Sequence, residues 1–559
     1  MFFLCIAPFC LQGIQSEKRT KTLTLNQSSS KPISNMNIKV LSMTLVACGM
    51  LVQSISAQTT FTINYQNKKQ RIHDFGASGA WNSEVIGKTW PAEKKDRIAE
   101  LLFSSEMDKQ GNPKGIALSS YRFNIGAGTA EQGDTSNVTR LNNRTECFLD
   151  ASGKYDFTKQ SGYQWFLRKA KDFGVPTLIA FVNSPPVFMT KNGRGFNSKK
   201  DGHANLKPEN YTAFADFLAN VMQYFDKQDL HFDYVSPVNE PQWDWSANAQ
   251  GKNSQEGSPY FNSEIASVTR KIDSVFTRKN VKTKIFVSEA GQIDRLYQGT
   301  AWADNQIDNF WTPGNPNYLG DLKHLEKNAV SAHSYWTEST TEKMIETRQK
   351  LFQKLQATNK DLQFWQTEYS FLGNGYKEGS TGRRSQIDCG LYLAKIIHHD
   401  LTLVNAPVWQ FWTAIDGTRP TGEIRYNLIS AIENKEKNDG EFSDTKSLWA
   451  LGNFSHFVRP GMIRIETERN DGLSLLEAAS QLMLSAYYDE VKKKLVIVVI
   501  NYDIKSRDIN LKFDNFKKQT SHFKPYITSE EDNLKAYPEV RAGEKITLKP
   551  RSITTLVSI

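Results

Sequence analysis

Between about Phe75 and Phe411 the chain repeats one pattern, a short apolar and β-branched run followed by a longer stretch with apolar residues at helical spacing. Eight such runs can be counted. They are HDFGASG near Gly76, ALSSYRFNIG ending at Gly126, VPTLIAFVNS ending at Ser184 and FDYVSPVNEP ending at Pro241. The remaining four are KIFVSEAG ending at Gly291, AVSAHSYW ending at Trp336, LQFWQTEYS ending at Ser370 and APVWQFWTAI ending at Ile415. Amphipathic stretches such as YTAFADFLANVMQYFDK and SEIASVTRKIDSVFTRK separate them. Eight strands alternating with helices predict an α/β fold, a (β/α)8 TIM barrel over residues 73–455.

After about Ser455 the pattern changes to closely spaced strands with turn signals between them: GMIRIETE, LMLSAYYDE, KKLVIVVINYD, DINLKFDNF and KITLKPRSITTLVSI. These predict a C-terminal β-sandwich over residues 456–559. The early run TTFTINYQNK, within 58–72, has no helix behind it and is expected to join that sandwich. Residues 1–57 read differently. Met36 is followed by a short basic segment ending at Lys39 and the apolar run VLSMTLVACGMLV, closing on small residues through Ala57, in the order of a signal peptide. Residues 1–35 then read as an extension upstream of the start at Met36. Leu45-Val46-Ala47-Cys48 also has the form of a lipoprotein cleavage site, although the apolar run continues past Cys48. A secreted or periplasmic protein is expected, with an outer-membrane lipid anchor through Cys48 as the alternative.

Composition narrows the partners. The formal charge is +9, and without residues 1–57 it falls to about +5. No dense Lys/Arg stripe with interleaved aromatics is present, so nucleic acid is not an expected partner. No other stretch approaches the ~20 apolar residues of a membrane span. Beyond Ala57 only Cys147 and Cys389 remain of five cysteines, compatible with one disulfide or two buried thiols, and no cysteine has metal-ligand spacing. The nine histidines include no HxH at a strand end, and His398-His399 read as part of a helix. Neither a metal nor another cofactor is expected, and the protein is expected to act as a monomer.

In a βα barrel the loops after the strands converge on one mouth, so polar residues at the C-terminal strand ends carry the chemistry. The fourth run ends Asn239-Glu240-Pro241-Gln242-Trp243, and the seventh ends Gln366-Thr367-Glu368-Tyr369. Strands four and seven of an eight-stranded barrel face each other across it, so both glutamates can point into one mouth. Glycoside hydrolysis needs such a pair: one acid for the leaving oxygen, and one carboxylate to attack or to position water. Burial and the like charge of Glu368 should raise the pKa of Glu240 and keep it protonated for the first step. Asn239 is placed to hydrogen-bond the sugar 2-hydroxyl. The plain alternative is two rim glutamates in unrelated salt bridges.

The stretch from about Phe61 to Ile559 resembles glycoside hydrolase family 30. HDFGASGAW, SYRFNIGAG, NSPPVFM, VSPVNEPQWDW, SAHSYW, WQTEYS and WQFWTA carry the resemblance, in the family's order and at compatible spacing. It implies a retaining enzyme with a barrel and a side β-sandwich, with Glu240 as acid/base and Glu368 as nucleophile. VNEPQWDW followed by SQEGSPY most resembles the branch containing endo-β-1,6-galactanases that act on type II arabinogalactan side chains. Branches acting as β-1,6-glucanases, glucosylceramidases or glucuronoxylan-directed xylanases share the catalytic motifs and remain alternatives.

Other rim residues are candidate substrate ligands. Arg122, ending strand two, is positioned to buttress the nucleophile or to form a structural ion pair. His333 and Tyr335 alternate around Ser334 and share a face, Tyr335 near enough to the strand end to reach nucleophile or sugar. Glu289, ending strand five, is expected to bind a sugar hydroxyl or to support Arg122. Trp81, Trp243, Trp245, Trp336 and Trp412 fall near the rim, where indole faces stack on sugars. Trp81 and Trp412 are the expected walls of the catalytic subsite, because the family resemblance puts these strand ends there. A noncatalytic glycan-binding barrel is the rival class, and the presence of both glutamates argues against it.

Overall fold

The computed structural model describes residues 58–372, 386–417, 427–516 and 522–559. The chain divides into two units, Met1–Ser56 and Ala57–Ile559, and the described residues all lie in the second. The signal-peptide expectation falls outside them.

An N-terminal strand β1 (Thr59–Arg71) precedes eight parallel strands: β2 (Asp74–Gly79), β3 (Ser120–Asn124), β4 (Thr177–Phe181), β5 (Tyr234–Ser236), β6 (Lys284–Ala290), β7 (Leu325–His333), β8 (Gln363–Tyr369) and β9 (Val408–Phe411). They close into a barrel through the β2–β9 pair, with Asp74 opposite Val408 and Ala77 opposite Phe411. Each of the eight apolar runs of the sequence supplies one strand. Every residue of β2, β3 and β4 is buried, as expected of strands with side chains inside and helices outside. The covering helices bury one stripe each. Tyr211–Lys227 turns Phe214, Phe217, Leu218, Val221, Met222 and Phe225 inward at three- and four-residue spacing.

The barrel strands lead into a small sheet of β10 (Ile415–Gly417), β11 (Ile429–Asn434) and β12 (Asp439–Asp444), which the strand–helix alternation did not announce. The C-terminal strands follow: β13 (Ile463–Arg469), β14 (Leu482–Asp489), β15 (Lys494–Asn501), β16 (Arg507–Asp514), β17 (His522–Thr528), β18 (Lys535–Ala536), β19 (Val540–Arg541), β20 (Ile546–Leu548) and β21 (Ser552–Ser558). With β1 they make one continuous ten-stranded sheet, in which β1 sits between β13 and β16. The two layers of the sandwich are this one sheet folded over. Phe513 of β16 stacks on Phe523 of β17, ring centres 5.7 Å apart, although those strands lie near opposite ends of the pairing order. Phe61, Ile63, Ile465, Leu484, Ile497 and Leu556 fill the space between.

Strand β17 escaped the sequence pattern because it contains Pro525, which cannot donate to a ladder. The structure accommodates it at a gap, where β19 pairs with His522 and Phe523 and β18 with Tyr526 and Ile527.

The outer face of the folded sheet packs on the barrel. Met483, Tyr487, Val498 and Ile553 join the same core as Leu393, Ile397 and Phe454 of the helices Gln386–Leu403 and Lys446–Ser455. Asn453 donates to Thr555 Oγ1 at 2.9 Å and its carbonyl accepts from the same hydroxyl at 2.8 Å. Cys147 and Cys389 are both buried. No helix among the described residues is long and apolar enough to cross a membrane.

One buried ion pair fixes the helices Thr341–Thr358 and Gln386–Leu403 against the barrel wall. Arg348 Nε donates to Asp400 Oδ1 at 2.7 Å, both side chains fully buried, and Trp409 Nε1 donates to Asp400 Oδ2 at 2.9 Å. Arg348→Leu strands the carboxylate without its cation and should cost ~3–5 kcal/mol. Denaturant unfolding measures it, and a cost under about 1 kcal/mol, the scale of an exposed pair, would contradict this account.

Candidate active site

Glu240 and Glu368 meet at the C-terminal mouth of the barrel. Glu368 is the penultimate residue of β8, and Glu240 lies four residues beyond β5. The loop carrying Glu240 is tied to β6, since its backbone N–H donates to the Glu289 carbonyl at 2.9 Å. Glu240, Glu289, Trp81, Trp245 and Trp336 all have positive φ, between 45° and 56°. Such backbones cost ~1–3 kcal/mol each and cluster where a side chain must be aimed. Gly291 leaves room for this aim: a Cβ there would stand 2.7 Å from Glu240 Oε1 and 2.6 Å from Trp243 Nε1.

Beneath the two carboxyls lies a sealed ionic layer. Arg122 Nη1 donates to Glu368 Oε2 and to Ser78 Oγ, both at 2.9 Å, and its Nη2 donates to Glu289 Oε2 at 2.9 Å. Tyr335 OH donates to Glu368 Oε1 at 2.9 Å. His333 stands between three acids, with Nδ1 2.9 Å from Glu240 and 3.4 Å from Glu368, and Nε2 3.3 Å from Glu289.

These contacts set the protonation states. Burial opposes the charge on His333, yet Glu368, Glu240 and Glu289 together push its pKa up to about 10, so it is an imidazolium at neutral pH. Burial acts to raise Glu289 too, but Arg122 and His333 outweigh it and hold this carboxyl below its ordinary range. Glu240 goes the other way: burial foremost, and then the charge of Glu368, raise it against the pull of His333. Two cations, Arg122 and His333, face two ion-paired carboxylates, Glu289 and Glu368. A proton on Glu240 closes the count at neutrality.

Above this layer opens a cleft of about 310 Å³. Of the residues expected at the site, Glu240, Glu368, Asn239, Trp81, Trp243, Tyr335 and Trp412 line it, as do Trp245 and Trp336. Arg122, Glu289 and His333, expected among the candidate ligands, do not: they have no exposed surface, and Arg122 and Glu289 take the supporting roles that were their alternatives, Arg122 holding Glu368 and Glu289 holding Arg122. Asn239 donates to Asn183 Oδ1 at 3.1 Å, while its own Oδ1 is buried without a protein partner. Asn183, Gln255 and Leu372 also line the cleft and were not anticipated. Asn183 could have been found by extending the strand-end rule to the third run, and Gln255 lies in SQEGSPY; Leu372 carries no signal of its own.

One donor atom each from Glu240, His333 and Glu368 lie within 4.8 Å of one another, a spacing that can hold a metal ion. Both ring nitrogens of His333 already face carboxylates, so this trio is arranged to share protons.

A closed barrel with a side β-domain, and two carboxyls brought together in one aromatic-walled cleft at its mouth, define a glycoside hydrolase. Residues 58–423 match the model for O-glycosyl hydrolase family 30, and the chain belongs to that family. The structure is similar to that of a conserved exported protein from Bacteroides fragilis, with TM-score 0.82 and 37% identity, covering 89% of this chain and 100% of that one. The catalytic domain of a family 30 xylanase C from Talaromyces cellulolyticus shares the fold at TM-score 0.61 and 19% identity, covering 89% and 100%. An exo-β-1,6-galactobiohydrolase from Bifidobacterium longum subsp. longum is 27% identical over 119 residues, 21% of this chain and 8% of that relative.

The raised His333 has a consequence for stability. Its unfolded pKa is ~6.5, so its ion pairs stabilise the fold fully below that pH and the contribution is lost as pH rises through about 10. In melting curves recorded from pH 6 to 10, His333→Gln should lose much of the wild-type decline. An identical decline in the variant would show that His333 is not the cation described.

Proposed function

We propose that this enzyme cleaves a β-linked polysaccharide with retention of configuration, Glu368 attacking the anomeric carbon and Glu240 serving as acid and then base. The observation that carries this reading is the pairing of the two carboxyls, an oxygen of each within 4.8 Å of the other. Direct attack needs carboxyls ~5–5.5 Å apart, whereas an interposed water needs ~6.5–9.5 Å. The raised Glu240 enters protonated and gives its proton to the leaving oxygen. When Glu368 becomes an ester its charge disappears, and with it one of the causes that raised Glu240. Glu240 can then accept a proton from water, and hydrolysis of the ester returns both groups to their starting states. Arg122 and Tyr335 hold the two oxygens of Glu368 before attack, and Asn239, lining the cleft, suits a sugar hydroxyl.

For the substrate, the reading is endo-cleavage of β-1,6-galactan side chains of type II arabinogalactan. SQEGSPY and the 119-residue similarity to an exo-β-1,6-galactobiohydrolase support it, and the same reading takes Met36 to Ala57 as an export signal. A screen of β-1,6-galactan, β-1,6-glucan, glucuronoxylan and glucosylceramide, with product lengths recorded, tests the assignment. Rapid cleavage of any of the other three, with galactan untouched, overturns it.

Glu368→Gln should lower kcat by at least about 10⁴-fold with the fold kept, as read by circular dichroism, on the scale of losing a nucleophile. Substantial turnover would remove Glu368 from its role. Glu240→Ala should regain activity with azide on an aryl glycoside and release a β-glycosyl azide. An α-azide is incompatible with double displacement.

A further inference from the structure

Two tryptophan pairs flank the two carboxyl groups of the site. Trp81 and Trp412 meet edge to face, ring centres 4.9 Å apart at 86°. Trp412 in turn packs on Phe181 at 6.0 Å, the ring under the Arg122 guanidinium at 4.4 Å. That pair reaches the Glu368 side through Arg122, one of the two groups that hold Glu368. Trp243 and Trp336 meet in the same manner at 5.5 Å and 87°. Here the partner is Glu240: Trp243 Nε1 and Glu240 Oε1 border the same space, 2.6 and 2.7 Å from where a Cβ on Gly291 would stand.

Chemistry assigns the two sides different sugars. A proton donor must reach the glycosidic oxygen, which departs with the leaving sugar, while the nucleophile approaches the anomeric carbon from the opposite face. Resting on the roles proposed above, we infer that Trp336, backed by Trp243, is the stacking platform for the leaving-group sugar and for any acceptor sugar that takes its place.

The local structure suits that task. Trp336 is the one exposed tryptophan among the described residues, at 37%. Its apolar face stands open in a cleft, where the C–H face of a sugar ring can cover it. It is also fixed in place. Its φ of 56° is costly for a bulky side chain. The turn is pinned by Thr337 Oγ1 donating to the Ser334 carbonyl at 2.7 Å and by Lys343 Nζ donating to the Trp336 carbonyl at 3.1 Å. A platform already rigid loses little entropy when a sugar settles on it.

The same site can then transfer as well as hydrolyse. An acceptor hydroxyl attacks the anomeric carbon of the glycosyl ester, its proton passes to the Glu240 carboxylate, and Glu368 leaves as a carboxylate. Atoms and charge balance without a further reactant.

A glycosyl fluoride isolates this side, because fluoride leaves the platform empty during the first step. The donor is β-1,6-galactobiosyl fluoride, or the corresponding fluoride of whichever glycan the screen selects, and the acceptor is the methyl β-glycoside of the same sugar. In Trp336→Ala the ratio of transfer to hydrolysis should fall roughly tenfold, the scale of one lost stacking contact. Hydrolysis of the fluoride alone should fall far less, and Trp336→Phe should recover most of the transfer. An unchanged ratio overturns the assignment. So does fluoride hydrolysis that falls in step with transfer, since Trp336 would then serve the other sugar or the scaffold. A wild-type enzyme that turns over no glycosyl fluoride overturns the double-displacement reading, and the platform with it.

Discussion

The guanidinium of Arg122 has no exposed surface and lies between two carboxyl groups, Glu289 and Glu368, with the Ser78 hydroxyl and the Phe181 ring completing its surroundings. A charge taken this far from water is tolerable only when its partners are well placed. Their placement therefore becomes a constraint on the whole mouth of the barrel. Glu289 reaches Arg122 and His333 with its side chain and holds the Glu240 N–H with its carbonyl. Strands β3, β6, β7 and β8 thereby share one frame. Within it the spacing of Glu240 and Glu368 is determined by groups that a sugar never touches.

This frame also explains how unlike pKa values arise a few ångströms apart. Glu289 keeps its charge because a permanent cation and an imidazolium flank it; Glu240 has only the imidazolium, and meets the charge of Glu368 as well. Chemically identical side chains are made into an anion and an acid by position alone.

Much of the fold was legible in the sequence because a closed barrel buries its strands on both faces, giving the eight runs from HDFGASG to APVWQFWTAI their mainly apolar and β-branched character. Glu240 and Glu368 were legible for a related reason, as carboxyls at the ends of runs four and seven. Depth was not. Alternation along β7 gives His333 its face but not its distance from the cleft, and strand-end position alone left Arg122 and Glu289 open between touching the sugar and supporting Glu368, which only depth decides. Asn183, Gln255 and Leu372 come from connecting segments, whose course follows from contacts far apart in the chain. Strand β17 was hidden by Pro525, and the β10–β12 sheet by its short, polar strands.

The position of β1 bears on how such a chain is made. Phe61 pairs across from Arg469, about 400 residues later, and synthesis at ~5–20 residues per second separates the two by ~20–80 seconds. For that interval the apolar side of β1 has no ladder to join. The barrel sequence emerges in between, so the first strand made is among the last to find its place. Cutting the gene after the barrel would leave Phe61 and Ile63 permanently bare, and the catalytic half should therefore be moved between hosts or fusions only with its C-terminal sheet attached.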